Sequence, residues 1–233
     1  MYPNGAKKAV TFSYDDGILQ DKRLVDIFNK YNLKCTFNIN SGLFGIESIM
    51  QKYNFAIKHF TAVEAKQVYA GHEVACHGVD HLRLPEITSY DQKFHEIVND
   101  KKTLEELFEC NIRGMAYAFG QVDDESIEIM SQNQIVYGRV VNSTLDFSIP
   151  CNWYKWQPTA HHKNEELFDL IDQFLKSDSE GLSLLCIWGH SYEFDMNNDW
   201  DRIEKCAQLL SGHDDIWYCT NIELYDFFQN QPK

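Results

Sequence analysis

Two adjacent carboxylates near the start of the chain are the first residues whose types and spacing could do chemistry. Asp15 and Asp16 stand in the stretch Tyr14-Asp15-Asp16-Gly17, directly after the apolar run at residues 9–12. Adjacent side chains at the end of a strand point in different directions, so one carboxylate can face a metal ion while the other faces what the metal binds. Asp-Gly is also a common turn signal, and taken alone the stretch would indicate an ordinary turn.

Two later histidines change that interpretation. His77 and His81 are spaced i, i+4, which places two imidazoles on one side of a helical turn, where they can hold one metal ion. Without a third ligand the pair would indicate only two surface histidines in a loop. With Asp16 they make three protein ligands and leave positions open for water and substrate, as in a catalytic site. This ligand set predicts one divalent cation, zinc first, with cobalt, nickel or manganese acceptable to the same ligands.

A base and an acid complete the set needed for metal-assisted hydrolysis. A metal ion lowers the pKa of water toward neutrality, and Asp15, beside the ligand Asp16, is placed to take the proton during attack. His190 follows the most apolar segment, residues 182–188, and is the candidate acid for the leaving group. A strand-end histidine bonded to a loop carbonyl is the ordinary alternative for His190.

Alternating strand and helix patterns would bring these residues together. Seven strands are predicted, at residues 8–14, 35–39, 73–76, 114–119, 135–141, 182–188 and 216–219. This order indicates an α/β fold with a mainly parallel sheet, whose active site lies at the carboxyl ends of the strands. Capping boxes predict helix starts at Thr61 and Thr220. The connections at residues 40–60 and 142–163 are long and are predicted to be irregular.

Length, composition and charge limit the class of protein. The chain has 233 residues, 44% apolar and 24% charged, without a linker or repeat, so one domain over residues 1–233 is predicted. The net charge of −14 argues against nucleic acid and anionic membranes as partners. No apolar run approaches the roughly 20 residues needed to span a membrane, and no signal-peptide core follows the first residues, which predicts a cytoplasmic protein, although a trimmed secreted form would look the same. Seven dispersed cysteines without a C-x-x-C pair fit a reducing compartment. Nothing indicates an oligomeric state.

The motifs and their order resemble the polysaccharide deacetylase family, carbohydrate esterase family 4. Its first, second and last motifs are similar to residues 13–17, 77–81 and 188–190 of this chain. The resemblance implies an α/β fold, a distorted (β/α)7 barrel with a mainly parallel seven-strand sheet. It also implies roles position by position: Asp15 as base, His190 as acid, and Asp16, His77 and His81 as metal ligands.

The implied reaction is metal-assisted removal of an N-acetyl or O-acetyl group from a sugar or polysaccharide, with a backbone N–H helping the metal to stabilise the oxyanion. Two alternatives stay open. One is hydrolysis of a small linear or cyclic amide, which an apparently non-exported chain would suit. The other is a carbohydrate-binding domain with an impaired site, although such a domain has no need of Asp15 or His190.

Two segments depart from the family pattern. Ala116 stands where the third motif has an arginine that braces the base; Arg139 on the fifth strand could supply that guanidinium, or could instead form a solvated ion pair. In the fourth motif Asn152-Trp153 replaces the Asp-Trp that tunes the acid histidine. Asp146 is the nearest upstream carboxylate, and the tuning partner stays unassigned.

Substrate contacts are predicted from aromatic and cationic residues near strand ends and in the second long connection. Tyr117, Arg139 and Trp153 are the candidates, because aromatic faces stack on sugar rings, although packing of the loop onto the barrel is the commoner use of such aromatics. His161 and His162 could add a site contact or a metal ligand, but a solvated pair is the more common situation.

Overall fold

A computed structural model describes residues 1–178 and 181–230 of the chain. The described residues form ten strands: β1 (Lys8–Asp16), β2 (Thr36–Ile39), β3 (Glu47–Met50), β4 (Phe55–Lys58), β5 (Glu73–Cys76), β6 (Gly114–Ala116), β7 (Tyr137–Arg139), β8 (Ala160–His161), β9 (Ser183–Gly189) and β10 (Ile216–Tyr218). Eight of them form one sheet in the order β7-β6-β5-β2-β1-β9-β8, with β10 beside the first half of β1. Strands β3 and β4 form a separate antiparallel hairpin.

Helices connect the strands along almost the whole chain. They are α1 (Asp21–Lys30), α2 (Ala62–Val68), α3 (Tyr90–Phe94), α4 (Asp100–Phe108), α5 (Asp124–Gln132), α6 (Leu167–Lys176), α7 (Tyr192–Asn197), α8 (Trp200–Leu210) and α9 (Asn221–Gln229). A π-helical turn at His95–Asn99 joins α3 to α4. None of the described helices combines the length and apolar character that crossing a membrane requires.

The predicted α/β fold with a mainly parallel, barrel-like sheet is confirmed. All seven predicted strands are present, and every pairing in the large sheet is parallel. Strand β1 lies at its centre and is buried along nearly its whole length, as expected for a parallel strand covered on both faces. The capping boxes at Thr61 and Thr220 also start α2 and α9 as predicted.

Two connections predicted to be irregular contain strands. The β3–β4 hairpin occupies residues 47–58, and its mostly exposed side chains explain why no apolar alternation marked it. The two-residue strand β8 pairs with β9 in the second connection and brings His161 beside Trp188. The seven-strand prediction therefore missed one short strand of the sheet.

The strand register brings the candidate residues to one edge of the sheet. Asp15 pairs with Asn38 of β2, and Tyr14 pairs with Gly189 of β9, directly before His190. His77 follows β5, the next strand beyond β2. The carboxyl ends of these parallel strands therefore place the acidic and histidine side chains around a single cavity.

Candidate active site

A cavity of about 780 Å³ opens over the carboxyl ends of β1, β5 and β9. Its lining includes all five predicted catalytic and metal-binding residues, namely Asp15, Asp16, His77, His81 and His190. The rest of the lining is largely apolar or aromatic, and the β3–β4 hairpin contributes one side of it. A cavity of this size with a few convergent polar groups is typical of a ligand site.

Three side chains converge in the way that one divalent cation requires. Asp16 Oδ1 lies 3.4 Å from His77 Nε2 and 3.5 Å from His81 Nε2. Ligand atoms about 2.1 Å from a tetrahedral ion are separated by roughly 3.4 Å, so the spacing suits a zinc-like cation. Burial lowers the pKa of His81 to about 4, which keeps its ring neutral, as a metal ligand must be.

The tautomer of His77 supports the same assignment. Its Nδ1 is 2.8 Å from the carbonyl oxygen of Ala116 and donates to it, so the lone pair is on Nε2. Among the described residues Nε2 has no hydrogen-bond partner, although it is buried. A buried nitrogen without a hydrogen-bond partner that faces a carboxylate and a second histidine is suited to bind a cation, and the residues present therefore fit a metal.

The loop that carries the two histidines is held by a carboxylate that sequence reasoning missed. Asp100 Oδ2 accepts hydrogen bonds from the main-chain N–H groups of His77 and Gly78, both at 3.0 Å, and Oδ1 accepts from that of Ser41 at 2.9 Å. Burial raises the pKa of Asp100 to about 6. Glu96, one turn earlier, accepts from the main-chain N–H of Asp80. The only sequence signal was this i, i+4 acidic pair in the predicted helix.

Backbone conformation is unusual at three positions around the cavity. Asp16, His81 and Phe119 have positive φ angles of 83°, 57° and 60°, which are rare for residues other than glycine. Such conformations cost about 1–3 kcal/mol each and persist where the surroundings fix them, commonly at functional sites.

Asp15 and Arg139 form a buried ion pair beneath the cavity. Arg139 Nη2 lies 2.5 Å and 2.6 Å from the two carboxylate oxygens of Asp15, and Asn38 donates to Oδ1 at 2.9 Å. Burial alone would raise the pKa of Asp15, but Arg139, with His77 and His190, holds it below its usual range. Arg139 is fully buried, which excludes the solvated ion pair. It contacts the predicted base rather than lining the cavity, so its assignment to substrate binding is corrected.

His190 lies between Asp15 and a second carboxylate, Glu193. Its Nε2 is 3.9 Å from Asp15 Oδ2, and its Nδ1 is 3.5 Å from Glu193 Oε2. Burial would lower the pKa of His190, but Glu193 first, then Asp16 and Asp15, raise it to about 9. Glu193, on the first turn of α7, was not found from the sequence, although its i, i+3 spacing from His190 was a usable signal.

Glu193 is the centre of a cluster of histidine and lysine side chains. Its Oε2 lies 3.0 Å from His161 Nε2 and 3.2 Å from His162 Nε2, and its Oε1 lies 3.1 Å from Lys163 Nζ. Although burial opposes ionisation, hydrogen bonds from His161, His162 and His190 hold the pKa of Glu193 below its usual range. The solvated histidine pair is therefore wrong, because both rings face this carboxylate and His162 is buried.

The same cluster could be mistaken for a second metal site. Ligand atoms of His161, His190 and Glu193 lie within 4.8 Å of one another. However, the main-chain N–H of Lys163 donates to His161 Nδ1 at 3.1 Å, so the neutral ring carries its proton on Nε2, toward Glu193. A protonated nitrogen cannot ligate a metal, and this tautomer is the opposite of that of His77. We therefore interpret the cluster as a carboxylate surrounded by proton donors.

Of the other two predicted substrate contacts, Tyr117 lines the cavity and Trp153 does not. Trp153 lies away from the cavity and packs against Trp156, Tyr225 and Phe228, so its assignment is corrected in favour of loop packing. Tyr117 belongs to the cavity lining, but its hydroxyl donates to the carbonyl oxygen of Tyr154 at 2.8 Å and is turned away from a substrate.

Asp146, the carboxylate considered for the fourth motif, is not the partner of His190. Asp146 accepts hydrogen bonds from the main chain and the hydroxyl of Ser148, within its own loop. Glu193 is the carboxylate beside His190 instead.

Comparison with known proteins identifies related folds and one family. The family model described as polysaccharide deacetylase matches residues 3–138, which is more than half of the chain. A comparison with curated proteins gave no match.

Three solved structures resemble nearly the whole chain at low sequence identity. Puue allantoinase is 12% identical, with 100% of this chain and 94% of that chain covered and a TM-score of 0.72. The Xyl-CE4 domain of a multidomain xylanase from the hindgut metagenome of Trinervitermes trinervoides is 15% identical, with 97% and 93% covered and a TM-score of 0.62. A CE4 family pseudoenzyme from Bacillus anthracis is 16% identical, with 94% and 66% covered and a TM-score of 0.58. These similarities establish the fold.

Some relatives are longer proteins. The chain spans 66% of the length of the Bacillus anthracis pseudoenzyme and 55% of that of the Streptococcus pyogenes deacetylase PplD, to which it is 25% identical over 56% of its own length with a TM-score of 0.48.

Proposed function

Because the chain belongs to the polysaccharide deacetylase family, we propose that residues 1–233 form a single catalytic domain that removes N-acetyl or O-acetyl groups from a sugar or polysaccharide. The observation that carries the proposal is the convergence of three ligand atoms, a buried carboxylate and a cationic histidine at one cavity. Asp16, His77 and His81 would hold one divalent metal, zinc first, with cobalt, nickel or manganese accepted by the same ligands. When bound, the metal supplies Lewis acidity and lowers the pKa of water.

Asp15 and His190 then act in two separate proton transfers. Asp15 is ionised at neutral pH and accepts a proton from the water that attacks the acetyl carbonyl. His190 carries a proton and donates it to the departing nitrogen or oxygen as the bond to the acetyl carbon breaks. The products are acetate and a free amine or hydroxyl. Arg139 would keep Asp15 oriented, because its guanidinium contacts both oxygens of that carboxylate.

Two other functions remain candidates for the same cavity. Hydrolysis of a cyclic amide is favoured by the similarity to Puue allantoinase, but a small ring would fill only a fraction of about 780 Å³. A binding domain with an impaired site has a precedent in the Bacillus anthracis pseudoenzyme. Against it, this chain retains both Asp15 and His190, which binding alone does not need.

Release of acetate from chito-oligosaccharides and from acetylated xylan, with allantoin as the competing substrate, tests the proposal. We expect zinc-loaded protein to release acetate from at least one acetylated saccharide, and dialysis against a chelator to abolish that release. Turnover of allantoin without release of acetate from any N- or O-acetylated sugar would establish the cyclic amide alternative instead.

Glu193→Gln should move the alkaline side of the pH profile. His190 must be protonated to act as acid, so activity falls as pH rises through its pKa, which is about 9. Removing the Glu193 charge lowers that pKa, and we expect the alkaline limb of kcat/KM to move to lower pH by about one unit. At neutral pH the rate should then fall by less than about tenfold.

A matched control removes a charge from the same cluster without touching His190. The Lys163 ammonium lies 3.1 Å from Glu193 Oε1, whereas His190 faces Oε2. Lys163→Met should therefore leave the alkaline limb close to that of the wild type. An unchanged limb in Glu193→Gln, with a folded and metal-loaded protein, would exclude this role for Glu193.

A further inference from the structure

The wall of the cavity carries positive charge in a chain that is strongly negative overall. Net charge is −14, with 35 acidic and 21 basic side chains. Among the described residues that line the cavity, the acids are Asp15 and Asp16, which face Arg139 and the candidate metal site. The permanently charged groups of the wall are Lys52 and Arg83. Their charge is available to a ligand, because Asp15 is paired with Arg139 and Asp16 faces the two histidines, so neither carboxylate forms an ion pair with Lys52 or Arg83.

Arg83 is held in a position from which it can bind an anion. Its guanidinium carbon lies 3.8 Å from the centre of the Phe119 ring, and that ring lies 4.7 Å from the ring of the metal-ligand candidate His81. A guanidinium over an aromatic ring is held by cation–π attraction, and its N–H groups can still bind a carboxylate. The nearest acid, Glu86, is 3.7 Å from Nε and mostly exposed, so solvent screens that contact.

Lys52 comes from a different element. It stands between β3 and β4, and its Nζ lies 4.9 Å from the centre of the Tyr53 ring. Within the described part of the chain it has no ion-pair partner. The hairpin is anchored over the site because Ile57 packs with Ile18 and Tyr192. The two cations therefore reach the cavity from separate segments of the fold.

We propose that the cavity takes an acetylated saccharide that carries carboxylate groups, and that Arg83 and Lys52 bind those groups. The inference rests on the proposed deacetylase function and narrows its substrate class. A protein of net charge −14 repels an anionic chain at long range, so local cations are needed to admit it to the cavity. A neutral saccharide would offer these two cations no group of opposite charge. They would then stand beside an apolar wall without contributing to binding.

Kinetics on two oligosaccharides of matched length test this assignment. One alternates N-acetylglucosamine with glucuronic acid, and the other contains N-acetylglucosamine alone. We expect Arg83→Met to raise KM for the anionic chain by about tenfold and Lys52→Met to raise it by about threefold, with changes below about twofold for the neutral chain. Arg83→Lys should fall between the wild type and Arg83→Met, because it keeps the charge and loses the planar fork.

The hairpin offers a matched control. Lys58 lies on β4, is exposed and does not line the cavity, so Lys58→Met removes the same overall charge and should leave both KM values unchanged. Raising the salt concentration from about 0.05 M to about 0.5 M should weaken binding of the anionic chain and not that of the neutral one. Equal KM values for both chains, insensitive to salt and to Arg83→Met, would overturn the inference while leaving the deacetylase function intact.

Binding measured without turnover separates the two proposals. Calorimetry with the zinc-loaded Asp15→Asn variant reports affinity for each oligosaccharide even if no acetate is ever released. Suppose that the Asp15→Asn variant binds the anionic chain in a way that depends on Arg83, while the zinc-loaded wild type releases no acetate from any saccharide. That result would support this inference and contradict the proposed function. No preference for the anionic chain in the same measurement would contradict the inference, whatever the activity of the enzyme.

Discussion

Replacing Asp15 with asparagine should lower kcat by about 10²–10⁴-fold while the protein keeps its full metal content. Asparagine has nearly the same shape and keeps a carbonyl oxygen for Arg139, but it cannot accept the proton from water. Both oxygens of Asp15 contact Arg139 at 2.5 Å and 2.6 Å, so this carboxylate is held away from the three-ligand set. Its loss should therefore affect turnover and not metal occupancy.

Asp16→Asn is the matched variant, because it changes the neighbouring residue in the same way. Asp16 is the carboxylate within 3.5 Å of both histidine Nε2 atoms, and removing its charge should lower metal affinity by about 10–100-fold or more. Metal analysis after dialysis against a weak chelator measures this directly. If both variants lose metal equally, or if Asp15→Asn retains wild-type turnover, the division of labour between the two carboxylates is wrong.

Local sequence patterns predicted much of the fold and of the candidate site. Strand β1 contains the mostly apolar segment at residues 9–12 and is buried along nearly its whole length, and the capping boxes at Thr61 and Thr220 start helices where their side chains bond the third residue onward. Because parallel strands present their carboxyl ends at one edge, residues that follow strands could be expected to meet. Asp16 and His77 do so across β1, β2 and β5.

What sequence reasoning could not supply are partners from distant elements. Arg139, 124 residues from Asp15, could be named only as one of two open interpretations, and Asp100, 23 residues from His77 in the loop that it holds, was missed. Local sequence could not decide either role, because each depends on which face of a helix or strand turns toward the site after packing. The hairpin at residues 47–58 was missed for a related reason: its side chains are mostly exposed and leave no apolar period.

Other residues supply the two charged groups that the family motifs would otherwise provide. The guanidinium beside Asp15 comes from β7, although Ala116 occupies the expected arginine position on β6. The carboxylate beside His190 comes from α7, one turn after the histidine itself. A buried charge needs a partner of opposite sign but not one from a particular strand, so changes of this kind preserve the electrostatics while erasing the motif.

Arg139→Met should be the most destabilising of the substitutions considered, by about 3–5 kcal/mol in the free energy of unfolding at neutral pH. Both members of the pair are buried, and removing the guanidinium leaves Asp15 charged, desolvated and bonded chiefly to Asn38. Methionine fills much of the volume of the arginine stem, so the loss reports charge more than packing. Denaturant unfolding of the metal-free proteins measures it without a contribution from metal binding.

The pH dependence of that loss identifies its cause. In the wild type the pKa of Asp15 is lowered, so the pair stabilises the fold above the unfolded value of about 3.9 and this stabilisation disappears as pH falls through the folded pKa. In Arg139→Met burial raises the pKa instead, so stability decreases as pH rises above about 4. The difference in unfolding free energy between the wild type and Arg139→Met should thus increase between about pH 4 and pH 7. The acid limb of kcat/KM should move to higher pH, because the base is ionised over a narrower range.

A double variant completes the test, because it removes both charges at once. Asp15→Asn combined with Arg139→Met leaves no uncompensated buried ion, and it should recover a large part of the stability lost in Arg139→Met alone. Recovery would show that the isolated Asp15 carboxylate, and not a cavity left by the arginine, causes the loss. Additive losses in the double variant, or a deficit that does not change with pH, would show that Arg139 acts through packing, and Asp15 would then owe its ionisation to the neighbouring histidines His77 and His190.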